Sequence, residues 1–355
     1  MGNQTLRCFL GSYAEAEHDG VYVCDFDLDT GALSIVSSVS GLKNPTFLDV
    51  DAAGMRLYAI GEGSDGQGGK TGTAAAYRIT NDGKLELLNE ETTVPASTCH
   101  ITLDRTRRNI IVASYHGGLV GLSPILEDGR IGPAADVKRH EGSSVLPAQN
   151  QARAHSVTVD RNNRYAIVCD LGLDRVFTYR LNAEERTLTY VSDVKLAPGS
   201  GPRHFAFHPS LPYAYVINEL NSTITVFSYD EKSGLLSSLQ TVGTLPDGFT
   251  EDNACADIHI SPDGRFLYGS NRGHDSIAVY AIHEEYGLLT LVEHASVLGK
   301  HPRNFALTPD GSYLLAANRD TNNVIVFARD AASGKLTPTG SSLEVSKPVC
   351  VKFLV

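Results

Sequence analysis

The chain has 355 residues, 42% of them hydrophobic and 20% charged, and its 30 Lys and Arg against 41 Asp and Glu leave a formal net charge of −11. A single core seldom grows past about 250–300 residues, so this length means either two domains or an array of small cores. With no basic run and no apolar stretch of membrane-spanning length, the composition excludes nucleic acid and membrane as partners, and the charge reads as keeping a soluble monomer dispersed.

At the start, Met1–Arg7 lacks the apolar segment of a secretory signal, and Leu6 breaks the myristoylation pattern begun by Gly2. Cys8-Phe-Leu10 and Val21-Tyr-Val-Cys24 read as two strands. From Pro45 onward one unit recurs: a short apolar strand, a polar turn, a second apolar strand, a break, and a third strand rich in Val, Tyr and Phe. The turns start at Asp51, Asp104, Asp160, His208, Ser261 and Thr308. That period of about 50 residues suits the four-stranded blades of a propeller. Second strands such as Ile110-Ile-Val-Ala113 and Ala214-Tyr-Val-Ile217 are followed by third strands such as Ile224-Thr-Val-Phe227 and Val324-Ile-Val-Phe327. No segment keeps a 3.6-residue period, so helix is a minor component.

The two ends complete each other. The N-terminal strands lack a first strand before them, and Pro348-Val-Cys-Val-Lys-Phe353 matches a first strand with nothing after it. Joined, they make a seventh blade, close the ring and remove an exposed sheet edge. The expected fold is all-β, a seven-bladed β-propeller over residues 1–355 as a single domain. Trp is absent and neither the WD dipeptide nor paired kelch glycines recur, which disfavours the two common scaffold propellers.

Aligning the first strands gives two wholly apolar columns, for example Val157 and Val159, as expected between blades. The two preceding columns differ. One holds Phe47, His100, Ser156, His204, Asp257, Asn304 and Cys350; the other holds Thr46, Cys99, His155, Arg203, Ala256, Arg303 and Val349. Structural positions in a repeat converge on one residue type, whereas these diverge, so they are expected to ring one mouth of the channel as a site. A second ring comes from the ends of the second strands: Tyr13, Glu62, His116, Asp170, Glu219, Arg272 and Arg319. Convergent charge in a narrow pocket is the pattern of a small-molecule site.

Other motifs carry less. Ser64-Asp-Gly-Gln-Gly-Gly-Lys-Thr71 resembles a phosphate-binding loop but lacks its leading Gly and precedes a strand, so it reads as a flexible blade loop. His204 and His208 stand four apart in a strand-to-turn context where they would not share a metal, and the twelve histidines show no zinc spacing. Six scattered cysteines without a CxxC pair read as reduced thiols of a cytoplasmic protein. No G-x-S-x-G elbow supports a serine nucleophile. Arg130–Ala154 is the longest unpatterned connection, either a lid or a solvated loop.

Several blocks, in order, carry a resemblance: Asp170-Leu-Gly-Leu-Asp-Arg-Val176, Gly201-Pro-Arg-His204, Asn218-Glu219, Ala256-Asp-Ile-His-Ile-Ser-Pro-Asp-Gly264, Ser270-Asn-Arg-Gly-His-Asp-Ser276 and Pro302-Arg-Asn-Phe305. The chain resembles the propeller-type 6-phosphogluconolactonases and the related carboxy-cis,cis-muconate cyclases. The resemblance implies a lactonase acting on a small anionic sugar lactone, with His155, Arg203, Glu219 and Arg272 as active-site residues and no metal or organic cofactor. Arg303, His204, Asn304 and Asp257 are then the expected substrate contacts. One departure is Ala152-Arg-Ala-His155, where the family often has Pro-His-Ala-His. Glu219 or His155 would take the proton from water, and the sequence leaves that choice open. The alternatives are a muconate-type lactonising cyclase, which would use the arginines on a dicarboxylate, and a non-catalytic scaffold whose channel mouth is inert.

Overall fold

The computed structural model describes residues 4–355 and consists of seven four-stranded antiparallel sheets. Blade 1 takes its innermost strand, Pro348–Phe353, from the C-terminus and its other three, Thr5–Ser12, Val21–Asp27 and Leu33–Val39, from the N-terminus. Cys8 pairs with Phe353 and Leu10 with Val351, so backbone hydrogen bonds close the ring as expected. Blades 2 to 7 follow in chain order. Their innermost strands are Leu48–Asp51, His100–Leu103, Ala154–Val159, Pro202–Phe207, Ala254–Ile260 and Pro302–Leu307.

Each blade is sandwiched between two others, which is why its middle strands are apolar on both faces rather than alternating. Asn109–Ser114, Tyr165–Asp170 and Phe266–Arg272 are buried throughout, whereas the outermost strand Leu235–Gly243 is largely exposed. The cores lie between blades. Ile111, Val120 and Leu122 of blade 3 pack on Val157, Ala166 and Val168 of blade 4, and Tyr215, Ile217 and Val226 of blade 5 on Ile258, Leu267 and Tyr280 of blade 6. A ring of small cores is how 355 residues avoid one oversized core.

A repeated tyrosine ties these layers. Tyr58, Tyr215 and Tyr268, all buried, each donate a hydroxyl hydrogen bond to the outer hairpin of the next blade, at Gly129 O (3.1 Å), Gly287 O (2.9 Å) and Gly334 O (2.8 Å). Gly334 sits at φ +75°, and a Cβ there would lie 2.3 Å from a Phe266 ring carbon. Gly334→Ala is therefore expected to destabilise the fold by about 1–3 kcal/mol, read as a lower urea midpoint at unchanged slope. An unchanged midpoint would mean that the Phe266 ring gives way freely.

The Arg130–Ala154 connection is part strand and part exposed loop, held at a few buried points: residues 141–143 and 145–147 are exposed, whereas His140 and Gln149 are buried. Asp136–Arg139 completes blade 3 as its outermost strand, and Pro147–Gln149 forms one 3-10 turn. Gln149 is fully buried and donates to Leu171 O (2.8 Å) and Asp174 Oδ1 (2.7 Å), while Ser144 Oγ donates to Asp174 Oδ2 (2.5 Å). Buried polar anchors of this kind pin the segment to blade 4. Polar spacing without an apolar run concealed them from the sequence. The glycine-rich stretch near Ser64 is the tip of a regular hairpin between Arg56–Ser64 and Lys70–Ile79.

One irregularity positions the site. In blades 1, 4, 5, 6 and 7 the innermost strand carries one residue more than its partner, at Val349, His155, Arg203, Ala256–Asp257 and Arg303. Alternation would send consecutive side chains to opposite faces. A bulge resets the phase, so that Ala154, Val157 and Val159 join the inter-blade core while His155 and Ser156 both reach the channel.

Candidate active site

On one side of this layer lies a cavity of about 310 Å³ at the channel mouth, within the range of small-molecule sites. His155 of blade 4, Glu219 from the end of the second strand of blade 5, and Arg303 of blade 7 line it, with Tyr13, Glu62 and His116 of the second ring. Arg203 and Arg272 meet the cavity through Glu219. Arg203 Nε and Arg272 Nη2 each donate to Glu219 Oε2 at 2.8 Å, so one carboxylate oxygen is clamped between two guanidinium groups. Glu219 Oε1 has no hydrogen bond among the described residues.

The remaining arginine donors are largely held by backbone. Arg203 Nη1 donates to Ala256 O (2.5 Å), and Arg272 donates to Ala254 O (3.1 Å) and Cys255 O (2.6 Å), carbonyls at the blade 6 bulge. Arg203 is 2% exposed, and burial with Arg303 and Arg272 nearby lowers its pKa to about 9, which leaves it charged at neutral pH. Arg303 differs. Its guanidinium makes no hydrogen bond among the described residues and lies 5.8 Å above the Tyr13 ring. Its donors are free for a ligand.

Arg203, Arg272 and Arg303 outnumber Glu219, and Glu62, the other carboxylate of the cavity, pairs with Lys70 (3.1 Å), so the mouth is electropositive within an acidic protein. Burial disfavours the ionised Glu219, but Arg272, Arg203 and Arg303 outweigh it and hold the carboxyl below its ordinary range. His155 is held well below the usual imidazole range by burial first, then by Arg203. Its Nδ1 is buried without a hydrogen-bond partner among the described residues. Both groups are thus unprotonated at neutral pH. Cys99 Sγ lies 3.2 Å from His155 O, and burial pushes its thiol up to about 11, so it presents no thiolate nucleophile.

His204, Asp257 and Asn304 do not share this cavity. They line a separate chamber of about 330 Å³ on the other side of the layer. His204 Nδ1 lies 2.6 Å from Asp257 Oδ1, Asn304 Nδ2 donates to Asp257 Oδ2, and Val351 N donates to Asn304 Oδ1 (2.7 Å). Phe47 and His100 pack on the His204 ring with centroids 5.8 and 5.5 Å away. This column therefore diverges partly because it stitches blades 5, 6, 7 and 1 together.

The second ring also divides. Asp170 is buried, accepting from His140 Nδ1 (2.7 Å) and Arg153 N (2.8 Å). Arg319 pairs with Asp320 (2.6 Å) in a neighbouring recess, which shares Tyr13 and Asn44 with the site cavity and holds Lys347. Arg153, the departure noted in the sequence, stacks 4.6 Å over Tyr115 and bonds to Ala148 O and Asn150 Oδ1. Tyr115 and Asn44 are cavity residues the sequence reading missed, although Tyr115 is adjacent to His116 of the second ring. Among the described residues no group of three or more His, Cys, Asp or Glu could hold a metal ion, and no helix is long and apolar enough to cross a membrane.

A closed seven-bladed ring with a small cationic cavity at its channel mouth defines a propeller of the enzyme type, built to receive a small ligand. Residues 7–353 match the family model for lactonases of the seven-bladed β-propeller type, and the chain belongs to that family. It is 37% identical over 347 residues to a 6-phosphogluconolactonase of Bacillus subtilis, covering 98% of this chain and 97% of that one. It is 33% identical to a 6-phosphogluconolactonase of Formosa agariphila, covering 95% and 96%. The structure of the periplasmic gluconolactonase of Pseudomonas aeruginosa superposes with a TM-score of 0.92 at 33% identity, covering 99% of each chain. Family membership sets aside the scaffold alternative.

Proposed function

We propose that this lactonase hydrolyses 6-phosphogluconolactone to 6-phosphogluconate in the cytoplasm, as a monomer, through the cavity around Glu219. The observation that carries the reading is the division of labour among the arginines: two fix Glu219, and the third, Arg303, faces the cavity unengaged. An unengaged guanidinium beside a small cavity suits a phosphate or carboxylate, which it grips through paired donors. Lys347, in the adjoining recess, offers a second cation to a substrate arm that passes Tyr13 and Asn44. Six free cysteines, five of them buried, support a reducing compartment.

In this mechanism Glu219 is the general base. Its Oε2 is held by two arginines, which leaves Oε1 for a water, whereas among the described residues the buried Nδ1 of His155 has no hydrogen-bonding partner to orient the ring. Water adds to the lactone carbonyl as Glu219 takes its proton. The arginines stabilise the oxyanion that develops. Collapse breaks the bond to the ring oxygen, which receives the proton from Glu219 and leaves as a hydroxyl on the same molecule. The product is the aldonic acid, which ionises to the aldonate and releases one proton to solvent, and one water is consumed. Binding of an anion against Arg303 offsets the field that holds Glu219 down, which raises its basicity in the complex.

The test is hydrolysis of freshly made 6-phosphogluconolactone and of unphosphorylated gluconolactone, each against its spontaneous rate. Wild type is expected to favour the phosphorylated lactone. Arg303→Gln is expected to raise its KM about 10–100-fold, the loss of a charge-assisted contact of about 1.5–3 kcal/mol, with a smaller change for gluconolactone. No acceleration of either lactone overturns the reading. Equal changes for both would assign Arg303 to the lactone ring and leave the phosphate without a seat.

A further inference from the structure

His204 touches Arg203 from the side away from the cavity, and the chemistry of that contact fixes its direction. Arg203 Nη1 lies 3.1 Å from His204 Nε2. A guanidinium only donates, so Nε2 accepts and the ring keeps its single proton on Nδ1. That proton is donated to Asp257 Oδ1 at 2.6 Å. The other neighbours of Asp257 are donors too: His259 Nε2 at 2.9 Å, Asn304 Nδ2, and the backbone N of Ile258 at 3.0 Å. Such surroundings demand an ionised carboxylate. Burial opposes this, but His259 and His204 outweigh it and hold Asp257 well below the ordinary carboxylate range.

We propose that Asp257 and His204 form a positioning dyad that sets the rotation of the Arg203 guanidinium, so that its Nε meets Glu219, without either residue touching substrate. The inference rests on the reading of Glu219 and Arg203 as the reactive machinery. Arg203 has five N–H groups, and the protein accounts for three: Nε to Glu219 and two from Nη1, to His204 and Ala256 O. Nη2 makes no hydrogen bond among the described residues, and on the proposed mechanism it is the group that would reach the reacting oxygen. Arg272 and Arg303 both repel Arg203, so its orientation depends on these acceptors. The dyad is itself anchored. Asn304 links Asp257 of blade 6 to Val351 of the closing strand, so a chain of hydrogen bonds runs from the site to the ring seam.

Neutrality of His204 is part of the device. Burial and Arg203 bring its pKa down to about 4 although Asp257 pulls it up. The other groups facing it are His155 of blade 4 (ring centroids 5.3 Å apart), His100 of blade 3 (5.5 Å) and His259 of blade 6. Burial lowers His155 and His100 in the same way, so the ring stays an acceptor at neutral pH.

The experiment compares His204→Leu with His204→Gln, whose amide can accept from Arg203 and donate to Asp257. His204→Leu is expected to lower kcat about 10–100-fold with KM changed less than about 3-fold, and His204→Gln to recover most of that loss. Nitrogen-15 NMR of the histidine-labelled wild type is expected to show one ring protonated at Nδ1 and unprotonated at Nε2, and to lose that signal in either variant. A crystal structure of His204→Leu is expected to show Arg203 Nε displaced from Glu219. Full activity in His204→Leu, equal impairment in both variants, a proton on Nε2, or an unmoved Arg203 overturns the dyad. If wild type hydrolyses no lactone, the functional reading fails while the tautomer and the Arg203 position still decide the dyad.

Discussion

Arg203→Ala is expected to lower kcat/KM for 6-phosphogluconolactone about a thousandfold, with folding retained. Two losses combine. The variant removes an oxyanion donor, worth about 10²–10³ in rate where such groups have been deleted. It also frees Glu219 from one side of its clamp, so the base loses its orientation. The cavity left by a residue 2% exposed and packed among His204, Ala256 and Glu219 also destabilises the protein. Arg203→Lys separates the terms: it keeps the charge but not the fork, so stability should return further than activity. Activity within threefold of wild type in Arg203→Ala would remove Arg203 from the mechanism.

Glu219→Gln carries the second large effect, on both rate and stability. Loss of the general base is expected to cost about 10²–10⁴ in kcat. Two buried arginines then share no counterion, and removing one partner of a buried ion pair costs about 3–5 kcal/mol. The 17% exposure of the Glu219 side chain favours the lower end. The pH dependence gives a sign to check. Glu219 titrates below its ordinary value in the folded protein, so its stabilising contribution is complete above the unfolded pKa and disappears as pH falls through the folded one. Wild type is therefore expected to lose its thermal advantage over Glu219→Gln as pH drops below about 4, where carboxylates normally titrate. A constant gap down to acid pH would show that Glu219 is not the anion between the arginines. A wild-type-like kcat in the variant would move the base to His155.

Much of the architecture was legible because it is a matter of period. Columns such as Val157 with Val159 and Ile258 with Ile260 announce inter-blade packing seven times over. The unmatched strands at Cys8 and Cys350 announce the seam, which the pairing of Thr5–Ser12 with Pro348–Phe353 realises. Harder to read was the Arg130–Ala154 connection. Its anchors are single polar contacts, Gln149 to Asp174 and His140 to Asp170, and these leave no periodic trace.

The candidate site was half legible. Blade-to-blade divergence picked out His155, Arg203, Arg303, Glu219 and Arg272, which the fold gathers around one cavity and its Glu219 clamp. The same divergence picked out His204, Asp257 and Asn304, which face another chamber and bond to one another. Adjacent residues parted in this way because each bulge inserts a residue, and nothing local in Pro202-Arg-His204 or Pro302-Arg-Asn304 shows that alternation fails there. Nor does any spacing show that guanidinium groups from blades 5 and 6 converge on one oxygen of Glu219.

The sequence by itself determined the blade count, the closure and the residue types available at the channel, since hydrophobic period and strand propensity are local properties summed over seven copies. Only the tertiary structure decided which polar column faces which chamber, which arginines are spent on Glu219 and which is free. Those outcomes depend on bulges and on contacts among residues about 50 positions apart, where direction and distance, not composition, govern the energy.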